Sequence, residues 1–230
     1  MRCLILFDID GTLVRGGPAR GAFRKALLDV FGTAGEIDGH DFSGKTDPQI
    51  ARELLQGAGV KNEEIDGKFP ALWAAYLAIL EKVLPEEPMT VLPGVRSLLE
   101  DLQDREEVIL GLLTGNILEG ARLKLESAGL SGFFSDVGGY GSDSEVREDL
   151  PAVARKRATE ALGVEFPPRS VVVVGDTPRD VACGRHGGTR TVAVATGWHT
   201  ADTLAGEGAD QVLEDFTDLD ASVRALLEGC

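Results

Sequence analysis

An unbroken apolar run near the N-terminus, Cys3–Phe7, stops abruptly at Asp8-Ile9-Asp10-Gly11-Thr12-Leu13. A short apolar run bounded by a turn signal reads as a strand buried on both faces, as in a parallel sheet sandwiched between helices. The rest of the chain fits that constraint. Apolar runs at 108–113, 170–174 and 191–195, with weaker ones at 136–139 and 210–213, alternate with helical patterns at 94–103, 117–128, 150–162, 178–186 and 218–227. Gly129 and Gly163 stand where a helix C-terminal glycine belongs. The expected fold class is α/β, a doubly wound, Rossmann-like parallel sheet. In such sheets ligands bind beyond the carboxyl ends of the strands.

Between the first two strands of this pattern lies a long stretch with no strand candidate. Phe23, Ala26, Leu27, Val30 and Phe31 form a helical stripe that Gly32 ends. Asp47-Pro48 reads as a helix cap followed by proline at the first helical position, opening a helix over 49–56. Phe69, Leu72, Trp73, Tyr76, Ile79, Leu80 and Val83 form a further stripe, and 85–88 reads as a return linker. The expectation is an α-helical cap domain at 15–90, inserted into a core made of 1–14 and 91–230, with the aromatic stripes as its helix-bundle core.

Three strand ends carry polar residues suited to chemistry. Carboxylates seldom close a buried strand unless they are paired or hold a metal, although acids at a strand exit can also simply face water. Asp8 and Asp10, so placed, can divide labour between nucleophile or ligand and proton donor. At Leu113-Thr114-Gly115-Asn116 a hydroxyl and backbone N–H groups meet a helix start, a ready anion site. The same stretch reads as a capping box of Asn116 with Glu119, and the two readings do not exclude each other. At 174–180 an apolar strand again runs into a carboxylate, Asp176, with Asp180 four residues later. Thr177 is placed to cap the helix that Pro178 opens, with Asp180 at its third position. Oxygen-only ligands of this kind suit magnesium better than zinc or copper. A basic partner at the sheet edge is expected from Arg147, just before a helix, with Lys156 as second choice.

Other chemistries lack support. With 23 Lys and Arg against 38 Asp and Glu the formal charge is −15, which repels nucleic acid and anionic membranes and calls for a local cation if the substrate is a phosphate. Cys3, Cys183 and Cys230 show neither zinc spacing nor a disulfide framework, so reduced thiols in a cytoplasmic protein are expected. The N-terminal apolar run is too short for a signal peptide or membrane span. His40, His186 and His199 have no metal-ligand spacing, and no Gly-x-Ser-x-Gly elbow or Cys–His pairing is present.

In this order the residues resemble the haloacid dehalogenase-like hydrolase superfamily. DIDGTL at 8–13 is similar to its first motif, LLTGN at 112–116 to its second and GDTPRD at 175–180 to its fourth, with VLPGV at 91–95 leading from the cap back to the core. Arg147 stands for the third, without the commoner lysine-proline form. The resemblance implies a magnesium-dependent phosphatase of small phosphate esters. Asp8 would be the nucleophile that forms an aspartyl-phosphate, and Asp10 the general acid and base. Thr114, Gly115, Asn116 and Arg147 would hold the phosphoryl oxygens. Mg²⁺ would be bound by Asp8, the Asp10 backbone carbonyl and Asp176, with Asp180 behind. Asp10 favours phosphate chemistry, since the dehalogenase branch lacks an acid there. Gly44, Lys45 and Thr46, in a polar loop between cap helices, would bear on substrate choice; the same loop reads equally as a solvated lead-in to the Asp47 cap. A phosphoglycolate phosphatase-like enzyme is the leading expectation. A phosphomutase of the beta-phosphoglucomutase type is the nearest rival, and a non-catalytic phosphate-binding module a more distant one.

Overall fold

A computed structural model describes residues 2–135 and 137–229. Six parallel strands form the sheet: β1 (Cys3–Phe7), β4 (Val108–Thr114), β5 (Gly138–Tyr140), β6 (Val171–Gly175), β7 (Arg190–Val194) and β8 (Gln211–Leu213), in the order β5-β4-β1-β6-β7-β8. The order reverses at β1, so a crevice opens at the carboxyl ends of β1, β4 and β6. Strand alternation divides the apolar side chains between two layers. Cys3, Ile5 and Phe7 of β1 join Val172 and Val174 of β6 in one cluster, while Leu4 and Leu6 join Val171 and Val173 in the other. Both layers are sealed, because helices cover each face: α4 (Val95–Gln103), α5 (Leu118–Ser127) and α9 (Leu219–Leu227) contribute to the first cluster, and α6 (Leu150–Leu162) and α7 (Pro178–His186) to the second. The short α8 (Ala201–Gly206) places Leu204 against Val181 and Ala193.

Between β1 and β4 the chain is mainly helical, with α1 (Ala19–Phe31), α2 (Asp47–Gly57) and α3 (Asn62–Val83). The stretch read as free of strands holds a two-residue pair. β2 (Val14–Arg15) runs antiparallel to β3 (Thr90–Val91), where the chain leaves for these helices and returns from them. Pairs this short carry too little alternation to show in a sequence pattern. The stripe at 69–83 belongs to a longer helix that starts at Asn62 and continues through Pro70. Thr46 caps α2, accepting from Gln49 N at 3.2 Å, and Asp47 is already the first helical residue, so the helix begins one position earlier than the sequence pattern suggested. Phe23 packs edge-on against Tyr76, joining α1 to α3.

The weak pattern at 136–139 corresponds to β5, although Asp136 itself lies outside the described residues, as does Cys230. Cys183 is a buried free thiol. No helix among the described residues is long and apolar enough to cross a membrane.

Phe7 ends β1 and meets Phe134 and Phe216 edge-on, with no exposed surface. Phe7→Ala should therefore cost about 3–5 kcal/mol of unfolding free energy in urea denaturation, through a cavity directly beneath the crevice.

Candidate active site

The strand ends named above converge on one cavity of about 600 Å³. Asp8, Asp10, Thr114, Gly115, Asn116, Arg147 and Asp176 line it from the sheet side, while Phe23, Phe42, Gly44, Lys45, Asp47 and Tyr76 line it from the helical side. Each strand-end residue reaches the crevice for the same reason. A parallel strand stops where its last backbone groups have paired, and the next side chain projects past the edge. Gly11 permits the tight exit after β1: its φ is +89°, and a Cβ there would lie 2.4 Å from Asp176 Oδ2.

Asp8, Asp176 and Asp180 are buried and bring carboxylate oxygens within 4.8 Å of one another. Burial, with neighbouring carboxylates, pushes Asp8 up to about 7 and Asp176 up to about 8. Arg147 compensates in part. Its Nη2 donates to Asp8 Oδ1 at 3.0 Å and to Asp180 Oδ1 at 2.5 Å. Burial works to lower the Arg147 pKa, but Asp180 and Asp8 outweigh it and the guanidinium is held charged. Its buried Nε has no hydrogen-bond partner, a donor left over for a ligand. Asp180 is occupied on both oxygens, since Oδ2 closes a capping box with Thr177 N at 3.0 Å and Thr177 Oγ1 at 2.7 Å. Asp176 Oδ1 accepts from Thr12 Oγ1 at 3.2 Å. The donor set is all oxygen and anionic, and it fits a hard divalent cation that would relieve the crowding.

Asp10 stands apart from this cluster. Its Oδ2 accepts from Asn116 Nδ2 at 2.8 Å and from Lys124 Nζ at 2.6 Å. Asn116 Nδ2 also donates to Thr114 Oγ1 at 2.8 Å, which leaves the threonine's own hydrogen free to donate. The capping box of Asn116 with Glu119 is not formed. Instead α5 is capped from across the cavity, Ile117 N donating to Asp47 Oδ2 at 2.9 Å. Asp47 is pushed up to about 6 by burial, with Asp10 adding to the effect and Lys124 and the Ile117 bond opposing it.

Lys156 does not reach the site. It is exposed on α6, with its Nζ 3.8 Å from Glu160, because that face of the helix turns to solvent. Lys45 lines the cavity and pairs with Glu53 Oε2 at 2.5 Å. Gly44 lines it as well, but Thr46 does not: its hydroxyl is spent on the α2 cap and on Glu145 O at 2.9 Å. Lys124 was absent from the residues singled out in the sequence. Its signal is a charged residue at helical spacing among Ala121 and Leu125, the buried positions of α5.

The chain is similar to known proteins along most of its length. Residues 4–188 match the family model of haloacid dehalogenase-like hydrolases. The chain belongs to that family. It is 29% identical over 227 residues to a phosphoglycolate phosphatase of Synechococcus elongatus, covering 97% of this chain and 98% of the relative. It is 28% identical to an N-acetylmuramic acid 6-phosphate phosphatase of Pseudomonas putida, covering 98% of each. A hydrolase structure from Pseudomonas syringae superposes with a TM-score of 0.70 at 22% identity, covering 96% of this chain and 98% of that one.

Two outcomes follow from this geometry. A Cβ on Gly115 would stand 2.0 Å from the backbone oxygen of Lys45. Gly115→Ala should therefore displace the loop before α2 and lower kcat/KM by about 10²-fold, as small misplacements at such sites do; unchanged steady-state kinetics would refute the close approach. The raised carboxylates set a pH dependence. Well below the ordinary aspartate value of 3.8, folded and unfolded chains are both protonated at these groups. As pH rises towards about 8, the unfolded chain gives up these protons first, so the cation-free protein loses stability over that interval. A divalent cation competes with those protons, and the Tm increase on adding MgCl₂ should be larger near pH 8 than near pH 5.5 in differential scanning fluorimetry.

Proposed function

We propose that the protein is a magnesium-dependent phosphatase of small phosphorylated metabolites, working through an aspartyl-phosphate. The observation that carries this reading is the separation of Asp8 and Asp10 into two environments at one strand end. Asp8 is buried beside Arg147 and the other acids, whereas Asp10 is tied to Asn116 and Lys124 with its side chain 44% exposed in the same cavity. A nucleophile and a proton carrier need such a division.

Asp8 attacks the phosphorus as the bond to the leaving oxygen breaks, and Asp10 protonates that oxygen. Asp10 then takes a proton from the water that cleaves the aspartyl-phosphate. The Thr114 hydroxyl, the backbone N–H groups at Gly115 and Asn116 and the Arg147 guanidinium hold the phosphoryl oxygens, a task in which preorganised donors contribute most of the effect. Asp8, Asp176 and the backbone carbonyl of Asp10 would hold magnesium, with Asp180 behind, and the ion's charge would neutralise the phosphate so that an anion can approach it. Residues 15–90 act as a cap over a core of 1–14 and 91–230, and Gly44 and Lys45 present the cap's polar loop to the leaving group. The curated relatives named above, both phosphatases, support the same class of substrate.

Purified protein should release phosphate from p-nitrophenyl phosphate with magnesium and lose that activity in EDTA. Asp8→Asn should reduce turnover by at least ~10³-fold. Undiminished activity in that variant would overturn the mechanism, and isomerised sugar phosphate with little free phosphate would replace it with a mutase.

A further inference from the structure

Lys124 is a buried lysine on the inward face of α5, beside the buried Ala121 and Leu125. Its side chain is 5% exposed, while that of its partner Asp10 is 44% exposed. Burying an ammonium is costly unless its donors are used. Here two are used, on Asp10 Oδ2 and Asn116 Oδ1, each at 2.6 Å. An ammonium has no acceptor, so it can meet only the carbonyl oxygen of Asn116. That fixes which way the amide faces. The Asn116 Nδ2 is then turned to Asp10 Oδ2 and Thr114 Oγ1. The loops after β1 and β4 are thereby cross-tied through one side chain of α5. Asp10 Oδ2 carries two donors, and Oδ1 accepts no hydrogen bond among the described residues.

We infer that Lys124 is a positioning residue that pins Asp10 by Oδ2, leaving Oδ1 as the oxygen that passes a proton to the leaving group. The inference rests on the phosphatase reading above. As the bond from phosphorus to the leaving oxygen breaks and that from Asp8 forms, the Oδ1 proton moves to the leaving oxygen. Without Lys124 the carboxyl can rotate, the Asn116 amide is free to flip, and the proton is misplaced. A mere strut for α5 would affect stability and nothing else.

Leaving-group dependence separates the two. A poor leaving group needs the proton and a good one does not. The magnesium-loaded wild type, Lys124→Met, Lys124→Arg and Asp10→Asn would be compared by kcat/KM on p-nitrophenyl, phenyl and ethyl phosphate. We expect Lys124→Met to lose about 10²-fold on ethyl phosphate but under about threefold on p-nitrophenyl phosphate, with Asp10→Asn as steep or steeper and Lys124→Arg recovering part of the loss. Ratios between esters are internal to each variant, so partial misfolding of one preparation cancels; if Lys124→Met does not fold, Lys124→Gln is read in its place. An equal loss on all three esters, or none, would overturn the positioning role while leaving an active wild type and the phosphatase reading intact. A wild type inactive on every ester would overturn that reading and this inference together. A flat profile for Asp10→Asn alongside an active wild type would overturn both the proton role of Asp10 and the role of Lys124.

Discussion

The mutual repulsion of carboxylates buried side by side at the strand ends governs this structure. Asp8, Asp176 and Asp180 are buried with carboxylate oxygens within 4.8 Å of one another, and each is held there by a partner of its own. Asp180 is half of the α7 capping box, Asp176 is steadied by Thr12, and Arg147 stands against Asp8 and Asp180 at once. Such a cluster is unstable as a set of bare anions and becomes useful when a cation joins it. The resting protein accordingly holds two of the acids well above their ordinary range. The same crowding that raises the folding cost suits the cluster to a hard divalent cation.

The helical side completes the site. Phe23, Phe42 and Tyr76 build an apolar wall, and few cations there are unspent, since Lys45 is held by Glu53 and Arg20 lies over the Phe42 ring. The tie between Asp47 and the start of α5 matters more than any single lining residue. The backbone N–H of Asp47 donates to Gly115 O at 2.7 Å while its carboxylate receives Ile117 N. A helix from one side of the cavity thus caps a helix of the other. The stretch proposed to grip phosphate is shaped from both directions, and the loop that bears Lys45 cannot shift without disturbing it.

Much of this was legible in the chain itself. Sheet strands β1, β4, β6 and β7 and helices α6 and α7 follow from apolar runs, glycine stops and a Thr-Pro cap, all local signals. The pair β2 and β3 did not, because two residues make no periodic pattern. The capping box at Asn116 failed for a different reason. Its local signal was sound, but the side chain found stronger partners in Asp10 and Lys124, separated from it by 106 and 8 residues. Thr46 misled likewise: beside a cavity-lining loop it looked like a site residue, and its hydroxyl went to helix capping instead.

By itself the sequence determined the order of the elements and which residues stand at the strand ends, because burial and turn chemistry act over a few neighbours. That was enough to bring Asp8, Asp10, Thr114 and Asp176 to one edge. Tertiary structure alone decided how they differ there. Whether an aspartate is crowded by acids, faced by Arg147 or pinned by a lysine from α5 depends on groups far apart in the chain, and electrostatics in a desolvated crevice is set by those distances. Local pattern placed the acids, and only packing could set their environments apart.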